Sequence, residues 1–211
     1  MNNTKIKKRT KGRPKCFCRD EALTKAVSVF CAKGYQGVSI AQLTDAMGIN
    51  PPSLYAEFGD KEGLFIDVLE HYYAPYEMAV TEIFDQAKDT EAAIKGLFEL
   101  SRSSHMSDGA TGCLVVNSGI IANEENAAIV DKIKALHERN EAMIYGRLQK
   151  GRDQGDIRQD VNIRSLARYI NGILQGAAVL ARGQQSPQAV KDLLAQGYEG
   201  FRLQAVAGQG R

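Results

Sequence analysis

The first nineteen residues contain no acidic side chain, and nowhere in the 211-residue chain does an apolar run approach membrane-spanning length, which is roughly 18 residues. No membrane partner is therefore expected. No apolar stretch follows the basic start, so it does not read as a secretory signal. A cytoplasmic protein is expected, with Cys16, Cys18, Cys31 and Cys113 as mostly reduced thiols. His71, His105 and His137 share no metal-ligand spacing, so no metal is expected. There is no Gly-rich phosphate loop, no nucleophile elbow and no obvious catalytic pairing. That argues against an enzyme and leaves no cofactor to expect.

What is present is a steep charge asymmetry. Residues 1–19 hold Lys5, Lys7, Lys8, Arg9, Lys11, Arg13, Lys15 and Arg19, a charge of +8. Against a total of +2, the remaining residues carry −6. A basic tip on an acidic body points to a polyanion held at one end. With 44% hydrophobic residues the chain can bury a substantial core.

Apolar spacing is helical almost throughout. Leu23, Ala26, Val27 and Phe30 fall at i, i+3, i+4 and i+7, with Asp20 as the expected cap and Gly34 as the stop. Ser39 is expected to cap a second helix that ends at Gly48. Asn50 should cap a third, with Pro51 at its first position, where a missing N–H does no harm. Asp60 should cap a fourth, which Pro75 should kink or end. Further helices are expected at 77–88, 91–104, 112–121, 124–150, 163–182 and 187–206. The fold class is therefore all-α. The divisions expected are a basic arm over 1–19, a small helical domain over 20–66 and a larger helical domain over 67–211.

A short helix, a glycine-containing turn and a second helix form a helix-turn-helix, whose second helix enters the major groove with its first residues at base edges. Those residues are Asn50, Pro52, Ser53 and Ala56, small and without arginine. Tyr55 can donate to a phosphate, and Lys61 lies at a helix N-terminus, where free N–H groups favour an anion. Ser39 and Gln42 can serve the other strand in the same way. The expected partner is double-stranded DNA.

The pattern Val38-Ser39, Leu43, Gly48-Ile49, Ser53-Leu54-Tyr55, Phe58, Lys61-Glu62, Leu64 resembles the DNA-binding domain of the TetR family of bacterial regulators over roughly residues 20–66. The resemblance implies an all-helical homodimer with a C-terminal ligand-binding domain and repression relieved by a small-molecule effector. It carries the family's phosphate-contacting tyrosine and lysine onto Tyr55 and Lys61, and its recognition-helix start onto Asn50, Pro52 and Ser53. In the arm, Lys11-Gly12-Arg13-Pro14 is similar to the core of AT-hook segments, so Arg13 is a candidate for the minor groove.

In the second half, helix 163–182 shows one apolar face of Leu166, Ile170, Ile173 and Ala177 and another of Tyr169, Gly172, Gly176 and Val179. Helix 187–206 sets Leu193 and Gly200 beside Val190, Leu194, Gly197 and Phe201. One face suits the core and the other a partner subunit, so Tyr169, Gly172, Gly176, Val179, Leu193, Gly197, Gly200 and Phe201 are dimerisation candidates. Tyr72, Tyr73, Tyr76, Phe84, Phe98, His105, Met106, Cys113, Asn117, Met143 and Tyr169 are candidates to line a ligand cavity. Cys16 and Cys18 lie beside Lys15 and Arg19 at a helix start, where thiol pKa values fall. Cys18 stands where relatives commonly have an acid. The segment Gly112–Asn117 around Cys113 resembles one found in some TetR-like electrophile sensors. A thiol-based sensor on the same scaffold is therefore the alternative reading.

Overall fold

The structure, a computed structural model, describes residues 18–106, 112–121, 126–183 and 186–206. Among these, nine helices follow one another: α1 (Arg19–Lys33), α2 (Ile40–Met47), α3 (Pro51–Phe58), α4 (Lys61–Gln86), α5 (Thr90–Met106), α6 (Leu114–Ile121), α7 (Ala127–Gln154), α8 (Ile163–Arg182) and α9 (Pro187–Ala205). The described residues include no strand beyond an isolated bridge between Ile157 and Val206. An N-terminal helix-turn-helix unit leads into a larger helical body.

Local chemistry explains the short helices. Ser39 and Gln42 close a capping box on α2: the Gln42 N–H donates to Ser39 Oγ at 3.3 Å, and the Ser39 N–H donates to Gln42 Oε1 at 3.0 Å. Gly48 ends α2 at φ 72°, a left-handed conformation open to glycine at little cost. Asn50 Oδ1 accepts the Ser53 N–H at 2.8 Å to start α3, and Asp60 Oδ1 accepts the Gly63 N–H at 2.8 Å to start α4.

The cap of α1 and the end of α4 lie elsewhere than expected. Helix α1 begins at Arg19 with Cys18 as its cap residue and no side-chain cap, while Asp20 lies in the first turn. The helix starts early because Arg19 is held from outside it. Its guanidinium donates to Glu57 at 3.1 Å and Asp67 at 2.6 Å and lies 5.4 Å from the centre of the Phe58 ring. Nor does Pro75 end α4, which runs on to Gln86 and absorbs the helix expected at 77–88. Proline deletes one backbone donor, and packing on both sides of it outweighs that loss: Tyr73 and Val80 are buried.

Two clusters of buried side chains form the core. The first gathers Leu23, Phe30, Leu43, Leu54, Phe58, Leu64, Phe65 and Leu69 with Leu114, Ile133 and Leu136 of the body. Phe30 and Phe65 meet edge to face at 4.7 Å between centroids. The second surrounds Val80, Ile94, Leu97, Ile144, Leu148, Leu166, Ile170 and Phe201. Tyr76 and Met143 pack against both.

Candidate nucleic-acid interface and internal cavity

Leu54 and Phe58 turn inward from α3, which leaves Pro51, Pro52, Ser53, Tyr55 and Ala56 on its outer face. Tyr55 is 49% exposed, a high value for a tyrosine that has apolar neighbours in sequence. The outer face is smooth and uncharged save for Glu57, which Arg19 engages. A helix with such small residues can approach a groove floor closely. Asn50 is also exposed, with its amide oxygen spent on the cap.

The flanking positions are more constrained than their sequence suggests. The Lys61 ammonium sits 4.5 Å from the centre of the Tyr35 ring, and burial moves its pKa down from the ordinary lysine value. Ser39 and Gln42 are exposed but tied to each other's backbone. Arg13 and Cys16 lie outside the described residues.

An internal cavity of about 350 Å³ opens between α4, α5, α6, α7 and α8. Of the candidate lining residues, Tyr72, Tyr73, Tyr76, His105 and Cys113 face it. Phe84, Phe98, Asn117, Met143 and Tyr169 do not. Phe98 packs in the second core against Tyr198, Tyr169 donates to the Gly197 carbonyl at 3.3 Å, Asn117 is buried beside the cavity, and Met143 fills the junction of the two cores. The side chain of Met106 is outside the described residues. The wall also contains Ser101, Ser104, His137, Asn140, Asn171 and Gln175, none of which is among the lining candidates read from the sequence. Their signal was a polar residue recurring every three or four positions on an otherwise apolar helical face.

These polar groups are wired together. The Tyr76 hydroxyl donates to Asn140 Oδ1 at 3.1 Å, and Asn140 Nδ2 donates to Asn171 Oδ1 at 2.8 Å. Gln175 Nε2 and His137 Nδ1 are 3.2 Å apart. The buried hydroxyls of Tyr73 and Ser101 have no hydrogen-bond partner among the described residues. Burial pushes the Tyr72, Tyr73 and Tyr76 phenols above their ordinary range and the His105 and His137 rings below theirs, so all five stay neutral near pH 7.

Cys113 sits at the start of α6. Burial raises its thiol pKa and outweighs hydrogen bonds from the Val116 and Val115 N–H groups and from Tyr72, all of which favour the thiolate. Cys31 is half-buried, and its thiol is raised by burial first and by Cys113 second. Cys18 is exposed.

The dimerisation candidates divide. Gly197 and Phe201 are buried inside the chain. A Cβ at Gly197 would meet Ile173 Cγ2 at 2.5 Å, and one at Gly200 would collide with the Tyr169 hydroxyl. These glycines bring α8 and α9 together within one subunit; the pattern that suggested a partner face is spent internally. Leu193 is half-buried against α8, its Cδ2 being 3.4 Å from a Cβ placed at Gly176. Gly172, Gly176 and Val179 keep an accessible face on α8, and Leu203 of α9 is 78% exposed. Among the described residues no cluster of His, Cys, Asp or Glu is arranged to hold a metal, and no helix is long and apolar enough to cross a membrane.

Comparison with known proteins agrees with this geometry. Residues 22–68 match the family model described as bacterial regulatory proteins, tetR family. Residues 90–196 match the model of the tetracyclin repressor-like C-terminal domain. The HTH-type transcriptional repressor ComR of Escherichia coli K12 is 33% identical over 183 residues, 86% of this chain and 87% of ComR. BdcR of the same organism, also an HTH-type transcriptional repressor, is 31% identical over 180 residues, 85% of this chain and 86% of BdcR. Among solved structures, a cysteine mutant of the TetR family regulator CifR complexed with 26-bp double-strand operator DNA superposes with a TM-score of 0.82. It is 32% identical and covers 89% of this chain and 98% of its own.

Proposed function

The chain belongs to the TetR family of bacterial regulatory proteins, and from that premise we propose that it is a homodimeric transcriptional repressor released from a pseudo-palindromic operator when a small molecule fills the internal cavity. One observation carries this reading. Helix α4 starts with Lys61 beside the exposed face of α3 and continues unbroken to present Tyr72, Tyr73 and Tyr76 to the cavity. Anything that changes the cavity wall therefore acts on a rod whose other end sets the reading helix.

The division at residue 66 is functional in this proposal, with 20–66 reading DNA and 67–211 sensing and pairing. Tyr55 and Lys61 contact phosphates, Pro52, Ser53 and Asn50 meet the groove floor, and the basic arm, Arg13 included, follows the adjacent minor groove. Ser39 and Gln42 reach the backbone only through donors that the capping box leaves over. Pairing through the open face of α8, with Gly172, Gly176 and Val179, would set two reading helices about 34–36 Å apart, one turn of DNA. The effector shifts operator affinity only by its preference for a mis-spaced dimer, typically about 5- to 150-fold.

The thiol-sensor reading has less support at Cys113, where burial works against a reactive thiolate, and falls back on the exposed Cys18 with Cys16. The test is footprinting on the DNA flanking the gene, with sedimentation of the complex. An inverted repeat protected by two subunits, with a reporter that rises when the gene is deleted, is the expected result. Binding by a single subunit to a site without two-fold symmetry would overturn the proposal.

A further inference from the structure

The cavity wall is built from side chains of a restricted kind. Tyrosines, histidines, amides, serines, Cys113 and aliphatic residues line it, and among the described residues no Asp, Glu, Lys or Arg does. Behind the wall, Arg139 lies 5.2 Å from the centre of the Tyr73 ring and is already engaged by Glu70 and Glu77. A charged guest would give up its hydration and find no counter-ion among the described lining residues. His105 and His137 do not supply one, since burial favours their neutral rings.

Two groups in the same wall lack a partner. Tyr73 and Ser101 are 6% and 7% exposed, and their hydroxyls make no hydrogen bond among the described residues. Buried hydroxyls without partners are uncommon in folded proteins. A guest carrying a donor-acceptor group could give either hydroxyl a partner, while its apolar body rests on Tyr72, Pro75, Leu100 and Val115. The volume, filled at the density usual for protein interiors, holds about ten to fifteen non-hydrogen atoms.

We infer that the effector is an uncharged molecule of this size with an apolar body and one neutral hydrogen-bonding group, such as an amide, ketone or alcohol, anchored at the hydroxyls of Tyr73 and Ser101, and that ionised carboxylates, ammonium compounds and phosphates are rejected. This rests on the reading of the cavity as the effector site.

The test uses the full-length protein and a matched series on one skeleton at pH 7.5: phenylacetamide, 2-phenylethanol, phenylacetate, phenethylamine and ethylbenzene, followed by thermal shift and titration calorimetry. The amide and the alcohol should raise the melting temperature and bind at least about tenfold more tightly than the two ions. Ser101→Ala and Tyr73→Phe should each weaken the amide about 3- to 10-fold and leave ethylbenzene unchanged, which a merely structural role would not do. Binding of phenylacetate or phenethylamine as tightly as the amide overturns the inference and leaves the effector-site reading standing. Amide binding that neither variant alters overturns the anchoring at these hydroxyls. Failure of all five compounds to bind overturns both.

Discussion

Arg139 of α7 holds Glu70 of α4 by both carboxylate oxygens, at 2.8 and 2.9 Å, and the same guanidinium reaches Glu77 two turns further along. Lys132 grips Glu70 as well. The two glutamates lie on one stripe of α4, so the network fixes that helix against α7 along the side of the cavity. Burial alone would raise the Glu70 pKa, but the hydrogen bonds from Lys132 and Arg139 outweigh it and hold the carboxyl below its ordinary value of 4.5. A depressed carboxylate stabilises the fold fully above its unfolded pKa and loses that contribution as pH falls through its folded one. Glu70→Gln should therefore lower stability by about 1 kcal/mol at pH 7, since the groups are partly exposed. The deficit should shrink to nothing below the carboxylate range. Thermal melts of both proteins from pH 7 to 3 check it, and a deficit unchanged at pH 3 contradicts it.

At the reading head, Tyr55 and Lys61 are predicted to contribute to affinity without choosing sequence. Tyr55→Phe should weaken operator and non-operator DNA alike, by about 3- to 10-fold. Lys61→Ala should reduce the slope of log affinity against log salt by about one. Because Lys61 also rests on Tyr35, its melting temperature should fall slightly as well. Fluorescence anisotropy across a salt series reads both, and a loss confined to the operator would reassign Tyr55 to base readout.

Two glycines of α7 offer a matched pair. Gly146 has open space where a Cβ would stand, whereas a Cβ at Gly151 would collide with Thr90. Thr90 is fully buried, donates to Asp156 at 2.9 Å through both its N–H and its hydroxyl, and accepts from Arg147 at 2.7 Å. Gly146→Ala should leave stability unchanged or raise it by about 0.5–1 kcal/mol, because mid-helix glycine carries an entropic cost. Gly151→Ala should cost about 1–3 kcal/mol by overpacking. Equal effects in urea unfolding would mean that the Thr90 node yields without penalty.

The reading head was legible because its signals are local. Ser39, Asn50, Asp60, Gly48 and Pro51 each act within four residues, and each does in the structure what its chemistry demands. The errors came where distant contacts decide. Arg19 drew the start of α1 past Asp20 by bonding residues far along the chain. Packing of Tyr73 and Val80 carried α4 through Pro75. Gly197 and Gly200 announced a close helix approach correctly, but sequence does not distinguish a neighbour in the same subunit from one in another. Cavity residues suffered in the same way. Side-chain size pointed to Phe98 and Met143, which fill space, whereas the wall is marked by the buried amides Asn140 and Asn171.

Cys113 tests whether helix-end chemistry or burial governs a thiol. At the start of α6 its sulfur receives the Val115 and Val116 N–H groups and the Tyr72 hydroxyl, an arrangement that by itself would make a reactive thiolate. Desolvation is larger and runs the other way, so near neutral pH the group is a half-buried thiol and not a thiolate. Iodoacetamide at pH 7.5 should label the exposed Cys18 of the folded protein well before Cys113, which should react at a comparable rate only after denaturation. Cys113→Ser should accordingly leave intact any DNA release caused by thiol reagents. Mass spectrometry of tryptic peptides over a time course follows both sites at once. Labelling of Cys113 in step with Cys18 would show that the cavity admits the reagent and that the helix end, not desolvation, sets the reactivity of this sulfur.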